Sequence, residues 1–187
     1  MTYAGTKRRV FISHYKGDIN EVNAFIDTFA NRAKVFVPYV LGANDNDEYI
    51  DTDNPAYAMT QIRKKYLQDS TVTIVLVGKC THSRRYIDWE IKSSLQQGDS
   101  TPNGLMGIIL PSMGNSAFLP PRLEDNWEKG HANCYARYWT YPNSPETLGK
   151  WIDDAYDARL NRAHLIKNSQ NMMKYNGKCR VCGVTHQ

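Results

Sequence analysis

At 187 residues, with 41% hydrophobic and 22% charged, the chain has enough apolar material for one sizeable core and is too apolar for a disordered segment. Its net charge of +4 is mild, and basic residues cluster only at 7–9, 63–65 and 84–85, which argues against a nucleic-acid-binding face. No apolar run approaches bilayer length, and the basic start lacks the apolar core of a signal peptide. The expectation is therefore a cytoplasmic protein with no membrane partner.

Residues 8–13 (RRVFIS) predict a short first strand. Asp18 follows as an N-cap, with Glu21 three residues on as in a capping box. Ile19, Val22, Phe25, Ile26 and Phe29 then recur at helical spacing. Residues 34–38 predict a second strand and 42–54 a polar, acidic loop. Pro55 suits the first turn of a helix reaching about residue 67. Residues 71–77, β-branched and almost wholly apolar, read as a central parallel strand. Ser83 is expected to cap a helix running to about residue 96, and 105–110 form another buried strand ended by Pro111. An irregular stretch follows. Residues 135–139 then predict a last strand, and Ser144-Pro145-Glu146 opens a helix with Leu148, Trp151, Ile152, Ala155 and Tyr156 on its apolar stripe.

This alternation implies an α/β fold in three layers, a parallel sheet flanked by helices, over residues 1–160. Residues 161–187 are expected as a helical extension and a tail holding Cys179-x-x-Cys182. Ligands of such sheets sit beyond the carboxyl ends of the strands. The loops 13–18 and 40–54, and the one near Pro111, thus become candidate site walls.

Two segments carry a family resemblance. Val10-Phe11-Ile12-Ser13-His14-Tyr15-Lys16-Gly17-Asp18 resembles the first strand and loop of TIR and TIR-like domains. Ser83-Arg84-Arg85-Tyr86-Ile87-Asp88-Trp89-Glu90-Ile91 is similar to the helix of NAD-consuming TIR domains, in which an aromatic residue precedes a catalytic glutamate by four. Here that aromatic is Tyr86 where tryptophan is commoner, and a tryptophan stands instead at Trp89. The combination is closest to the TIR-like subunit of bacterial Thoeris antiphage systems. The resemblance implies a TIR/flavodoxin-like sheet, with NAD+ as substrate and no cofactor. It also implies a cyclic or modified ADP-ribose product that reaches a separate effector, and self-association as a further partner. Glu90 would be the catalytic residue, and Ser13, His14, Tyr15, Arg85, Tyr86 and Trp89 the substrate-binding ones.

The chemistry suits these residue types. Cleaving the nicotinamide–ribose bond builds oxocarbenium character, which one carboxylate can stabilise, and the leaving group needs no proton. Tyr86 and Glu90 share a helix face, and Arg84 and Arg85 fall in a first helical turn, where a pyrophosphate is favoured. Other readings stand beside this one. Glu90 could be a solvated surface glutamate, His14 a structural histidine, and Arg84 and Arg85 solvated side chains, one of them a partner of Asp88 or Glu124. The whole domain could serve as a non-catalytic TIR-like scaffold. The loop acids Asp45, Asp47, Glu48, Asp51 and Asp53 lack an EF-hand pattern and read as a solvated loop able to cover the crevice. Cys179, Cys182 and His186 make half a zinc site, which His164, His131 or Cys134 could complete. Free thiols on the tail, with no metal, are the expectation.

Overall fold

A computed structural model describes residues 2–40, 52, 54–98, 101–127 and 134–186. The acidic loop residues Asp45, Asp47, Glu48, Asp51 and Asp53, and His131, lie outside the described residues.

Five strands form one parallel sheet: β1 (Arg8–Ser13), β2 (Phe36–Val40), β3 (Val72–Val77), β4 (Gly104–Ile109) and β5 (Arg137–Trp139), in the order β2-β1-β3-β4-β5. β3 and β4 are buried at every residue, as continuous apolar runs require of strands covered on both faces. β2 carries Pro38 and lies at an edge, where the missing backbone donor does least harm.

Strand alternation sends side chains to two different layers. Val10 and Ile12 of β1 join Val72, Ile74 and Leu76 of β3 in a core shared with helices α1 (Ile19–Phe25) and α5 (Pro145–Asn161). Phe11 and Ser13 face the other layer, which holds helices α2 (Pro55–Ile62), α3 (Arg85–Ser94) and α4 (Pro121–Asn126). α1 and α2 run on as wider π-type turns over Ile26–Arg32 and Arg63–Leu67, so both expected helices reach their expected lengths.

Helix starts follow the sequence in two cases and depart from it in two. Asn54 caps α2 ahead of Pro55, and the Ser144 hydroxyl accepts from the Thr147 N–H at the start of α5. Asp18 precedes α1 but makes no side-chain cap there, because its carboxylate turns inward beneath Gly78. Glu21 is drawn to the Ser112 N–H (2.9 Å) and hydroxyl (2.6 Å), so no capping box closes. Ser83 does not cap α3 either, since its hydroxyl donates to the Cys80 carbonyl. The cap arrives from far along the chain, as Asn176 Oδ1 accepts the Arg85 N–H at 2.9 Å.

That contact belongs to a strap formed by the residues after α5. The helix expected from Ser144 is α5, whereas the residues expected as a helical extension, 161–187, hold one 3₁₀ turn, Ala163–Leu165, and among the described residues then follow a non-helical run along the outer face of α3. Lys92 Nζ donates to the carbonyls of Asn168 and Gln170, and Asn168 Nδ2 donates back to the Lys92 carbonyl. α3 is consequently buried on both faces. Among the described residues no helix is long and apolar enough to cross a membrane.

α5 lies so close to the sheet that a Cβ on Gly104 would collide with the Ala155 carbonyl oxygen. Gly104→Ala is therefore expected to cost about 1–3 kcal/mol or more, because backbone must move to admit one methyl group. An unchanged thermal or urea midpoint would mean that α5 does not dock this way.

Candidate functional site

In the strand order β2-β1-β3-β4-β5 the chain crosses to opposite sides of β1, so the topological switch point lies between the carboxyl ends of β1 and β3. Ser13 is the last residue of β1 and is fully buried. Its hydroxyl donates to Glu90 Oε2 at 2.5 Å. Glu90 projects from α3 and is only 4% exposed. Burial pushes its carboxyl up to about 8, and the Ser13 hydrogen bond only partly opposes that. A glutamate held near neutrality at a switch point is suited to reaction chemistry and poorly suited to surface solubility. The solvated-glutamate reading is thereby corrected: the strap and the sheet enclose the helix from both sides.

The remaining predicted residues divide. His14 follows Ser13, and burial holds its imidazole below the usual histidine range while its ring donates to the Ile12 carbonyl. This bonding is that of a structurally anchored histidine. The Tyr15 ring supports the Arg84 guanidinium at 3.9 Å and lies 5.9 Å from the His186 ring. Tyr86 is half-buried, with the Arg85 guanidinium 5.0 Å from its ring centroid and Arg85 Nη2 donating to its hydroxyl. Trp89 does not open onto the crevice. It is fully buried with Phe11, Ala58, Ile62, Tyr66 and Leu67, and its indole N–H donates to the Met173 carbonyl at 2.8 Å. Its position one residue from Glu90 turns it into the α2–α3 interface, so its role is packing.

The charged neighbours also differ from expectation. Arg84 is not solvated: it is 6% exposed, and its Nη1 donates to the His186 carbonyl. Its Nε and Nη2 have no hydrogen-bond partner among the described residues. Asp88 pairs with neither Arg84 nor Arg85 but with Arg122. Asp18, expected as a cap at the end of the candidate wall 13–18, instead brings a second inward carboxylate to the crevice. Burial and the nearby Glu21 push it up to about 6, and Thr81 and Arg84 oppose them. Nothing local in the sequence marks it, because the contact to Gly78 and Thr81 exists only once β1 and β3 lie side by side.

A separate groove of about 380 Å³, lined by Arg63, Lys64, Ser70, Asn103 and Arg159 among others, lies at the opposite edge, where β3 and β4 begin. It does not include Glu90.

A family model described as "Thoeris protein ThsB, TIR-like domain" matches residues 11–114. The match spans Ser13, the crevice turns and all of α3 and β4. No curated protein matches the chain. The family match covers more than half of the 187 residues and contains both partners of the buried pair, and the five-stranded parallel sheet is the fold it calls for; the chain belongs to the TIR-like domain family of the Thoeris protein ThsB.

Proposed function

We propose that this protein is an NAD+-consuming enzyme of antiphage defence, with Glu90 as its catalytic carboxylate. The observation that carries the reading is the buried Ser13–Glu90 pair at the switch point of the sheet. As the nicotinamide–ribose bond breaks, positive charge grows at the anomeric carbon, and a desolvated carboxylate stabilises it far better than water would. Ser13 fixes the carboxylate's direction. The unpartnered Nε and Nη2 of Arg84 are suitable donors for a pyrophosphate oxygen. Nicotinamide leaves as a neutral base. The ribosyl cation is then captured by water, which gives ADP-ribose, or by another atom of the same molecule, which gives a cyclic product that signals to a separate effector.

The charge state of Glu90 sets the pH dependence. The reactive form is the carboxylate, whereas burial favours the acid up to about pH 8 in the free protein. The cationic nicotinamide ring favours the carboxylate once bound. The kcat/KM profile is therefore expected to rise with pH through a midpoint near 8 and level off above it, while the rising limb of kcat lies at lower pH. Incubation with NAD+, with nicotinamide and ADP-ribose species followed by mass spectrometry, tests both points. Product mass separates hydrolysis, which adds water, from cyclisation, which does not. No nicotinamide release at any pH or protein concentration would favour an association module built on the same fold.

A further inference from the structure

Four potential metal ligands converge beside the crevice from two distant parts of the chain. Cys80 stands in the turn after β3, while Cys179, Cys182 and His186 come from the tail. The Cys80 and Cys182 sulfurs are 3.5 Å apart, and His186 Nε2 lies 3.3 Å from the first and 3.1 Å from the second. All three ligand atoms fall within 4.8 Å of one another. The Cys179 thiol meets those of Cys80 and Cys182 and also reaches the Lys79 carbonyl at 3.3 Å. At 3.5 Å the sulfurs are far from the ~2.05 Å of a disulfide. Ligands around a tetrahedral zinc at normal bond lengths stand about 3.6 Å (S to N) and about 3.8 Å (S to S) apart. Among Cys80, Cys182 and His186 the observed separations are a few tenths of an ångström shorter, so a small outward movement would admit the ion, and Cys179, whose sulfur lies outside this group of three, would close onto it as the fourth ligand.

The backbone is shaped for the same purpose. Lys178 and Thr185 form an antiparallel bridge, Cys179 N–H donates to the Val184 carbonyl, and Gly183 N–H returns to the Cys179 carbonyl, both at 2.9 Å. Gly183 takes φ 75°, which closes the turn and favours glycine. The N–H groups of Val181 and Cys182 point at the Cys179 sulfur and would stabilise a metal-bound thiolate. The Arg180 N–H donates to His82 Nε2 at 3.0 Å, so the hairpin also sits on the turn that supplies Cys80.

We infer that Cys80, Cys179, Cys182 and His186 form a structural Cys₃His zinc site that staples the C-terminal strap to the turn after β3. Three thiols give up their protons to the medium on binding, His186 coordinates as the neutral imidazole through Nε2, and no ligand position is left open for catalysis. The staple lies one short turn from Arg84, whose guanidinium holds the His186 carbonyl and rests on Tyr15. It therefore fixes the tail against the wall of the crevice whether or not NAD+ is the substrate.

Elemental analysis and native mass spectrometry of the full chain, purified without chelator, are expected to find about one zinc per chain. Cys80→Ser and Cys182→Ser are expected to lose it, whereas Cys134→Ser, a buried thiol outside the cluster, keeps it. Because a serine variant can fail by misfolding, the wild-type chain exchanged with Co²⁺ supplies a second reading. Thiolate-to-cobalt charge transfer and the intense visible bands of a tetrahedral ion are expected. Metal-free wild-type protein that gives no such bands, a Cys80–Cys182 disulfide in reduced-purified protein, or zinc retained by both serine variants would each overturn the assignment.

Discussion

Glu90→Gln is expected to abolish nicotinamide release and, in the same molecule, to raise the melting temperature at alkaline pH. The activity loss follows, on the proposed mechanism, from removing the carboxylate that would meet the oxocarbenium at the Ser13 end of the crevice. Losing one preorganised electrostatic partner of this kind costs about 10²–10³-fold. The stability gain follows from linkage. The folded protein holds the Glu90 proton up to about pH 8, while the ordinary carboxyl value is 4.5. Between these two pH values the folded state binds more protons than the unfolded state, so this group's contribution to stability falls as pH rises and levels off above about 8. Glutamine has nearly the shape of the protonated acid, still accepts from Ser13, and does not titrate.

The two melting curves should therefore coincide near pH 4 and diverge through neutrality. The variant should become more stable by at most a few kcal/mol at pH 8, or on the order of 5–10 °C for a chain of this length. Asp18, also pushed up, titrates in both proteins and drops out of the difference. Parallel curves would mean that Glu90 is ionised and solvated in solution, and the argument for its tuned carboxylate would go with it. A diverging pair with undiminished turnover would leave the buried acid in place but remove it from catalysis.

Each half of this site was readable in the sequence, but their pairing was not. Alternation along Val10–Ser13 fixes which face Ser13 takes, and the resemblance of residues 83–91 singles out Glu90. Only the strand order 2-1-3 brings them into contact. The sheet was legible because a parallel strand covered on both faces must be apolar at every position, as β3 and β4 are. The strap was not legible because it follows no periodicity. Its anchors are backbone carbonyls of residues such as Asn168, Gln170 and Met173, which any residue type could supply. Trp89 enters the expected site only through the family resemblance, and the sequence could not correct that, since the indole's partner, the Met173 carbonyl, leaves no mark in composition. Cys80 is a parallel case: a lone cysteine after a strand gains meaning only when the tail returns to it.

The strap also explains why the largest stability effect is expected away from the reaction centre. Arg122 is fully buried, and all five of its N–H donors are used. Nε and Nη2 grip Asp88 at 2.9 and 3.3 Å, Nη1 donates to Asn168 Oδ1 and the Gln170 carbonyl, and Nη2 reaches the Asn171 carbonyl. Asp88 Oδ2 in turn accepts the Met173 N–H at 2.8 Å. One ion pair thus joins α3, α4 and the strap in a dry environment. Asp88→Ala leaves a guanidinium buried without its counter-charge, which costs about 3–5 kcal/mol, or on the order of 10 °C in melting temperature. Arg122→Lys is expected to fail as well, because an ammonium cannot present the planar fork that the four acceptors besides Asp88 Oδ1 require. The double variant Asp88→Leu/Arg122→Met removes both charges at once and should recover part of the loss while leaving the strap carbonyls unpaired. Hydrogen exchange should then show residues 166–177 opening first in every one of these variants. A loss below about 1 kcal/mol for Asp88→Ala would place the pair in water, and the strap could not then be what buries the helix that carries Glu90.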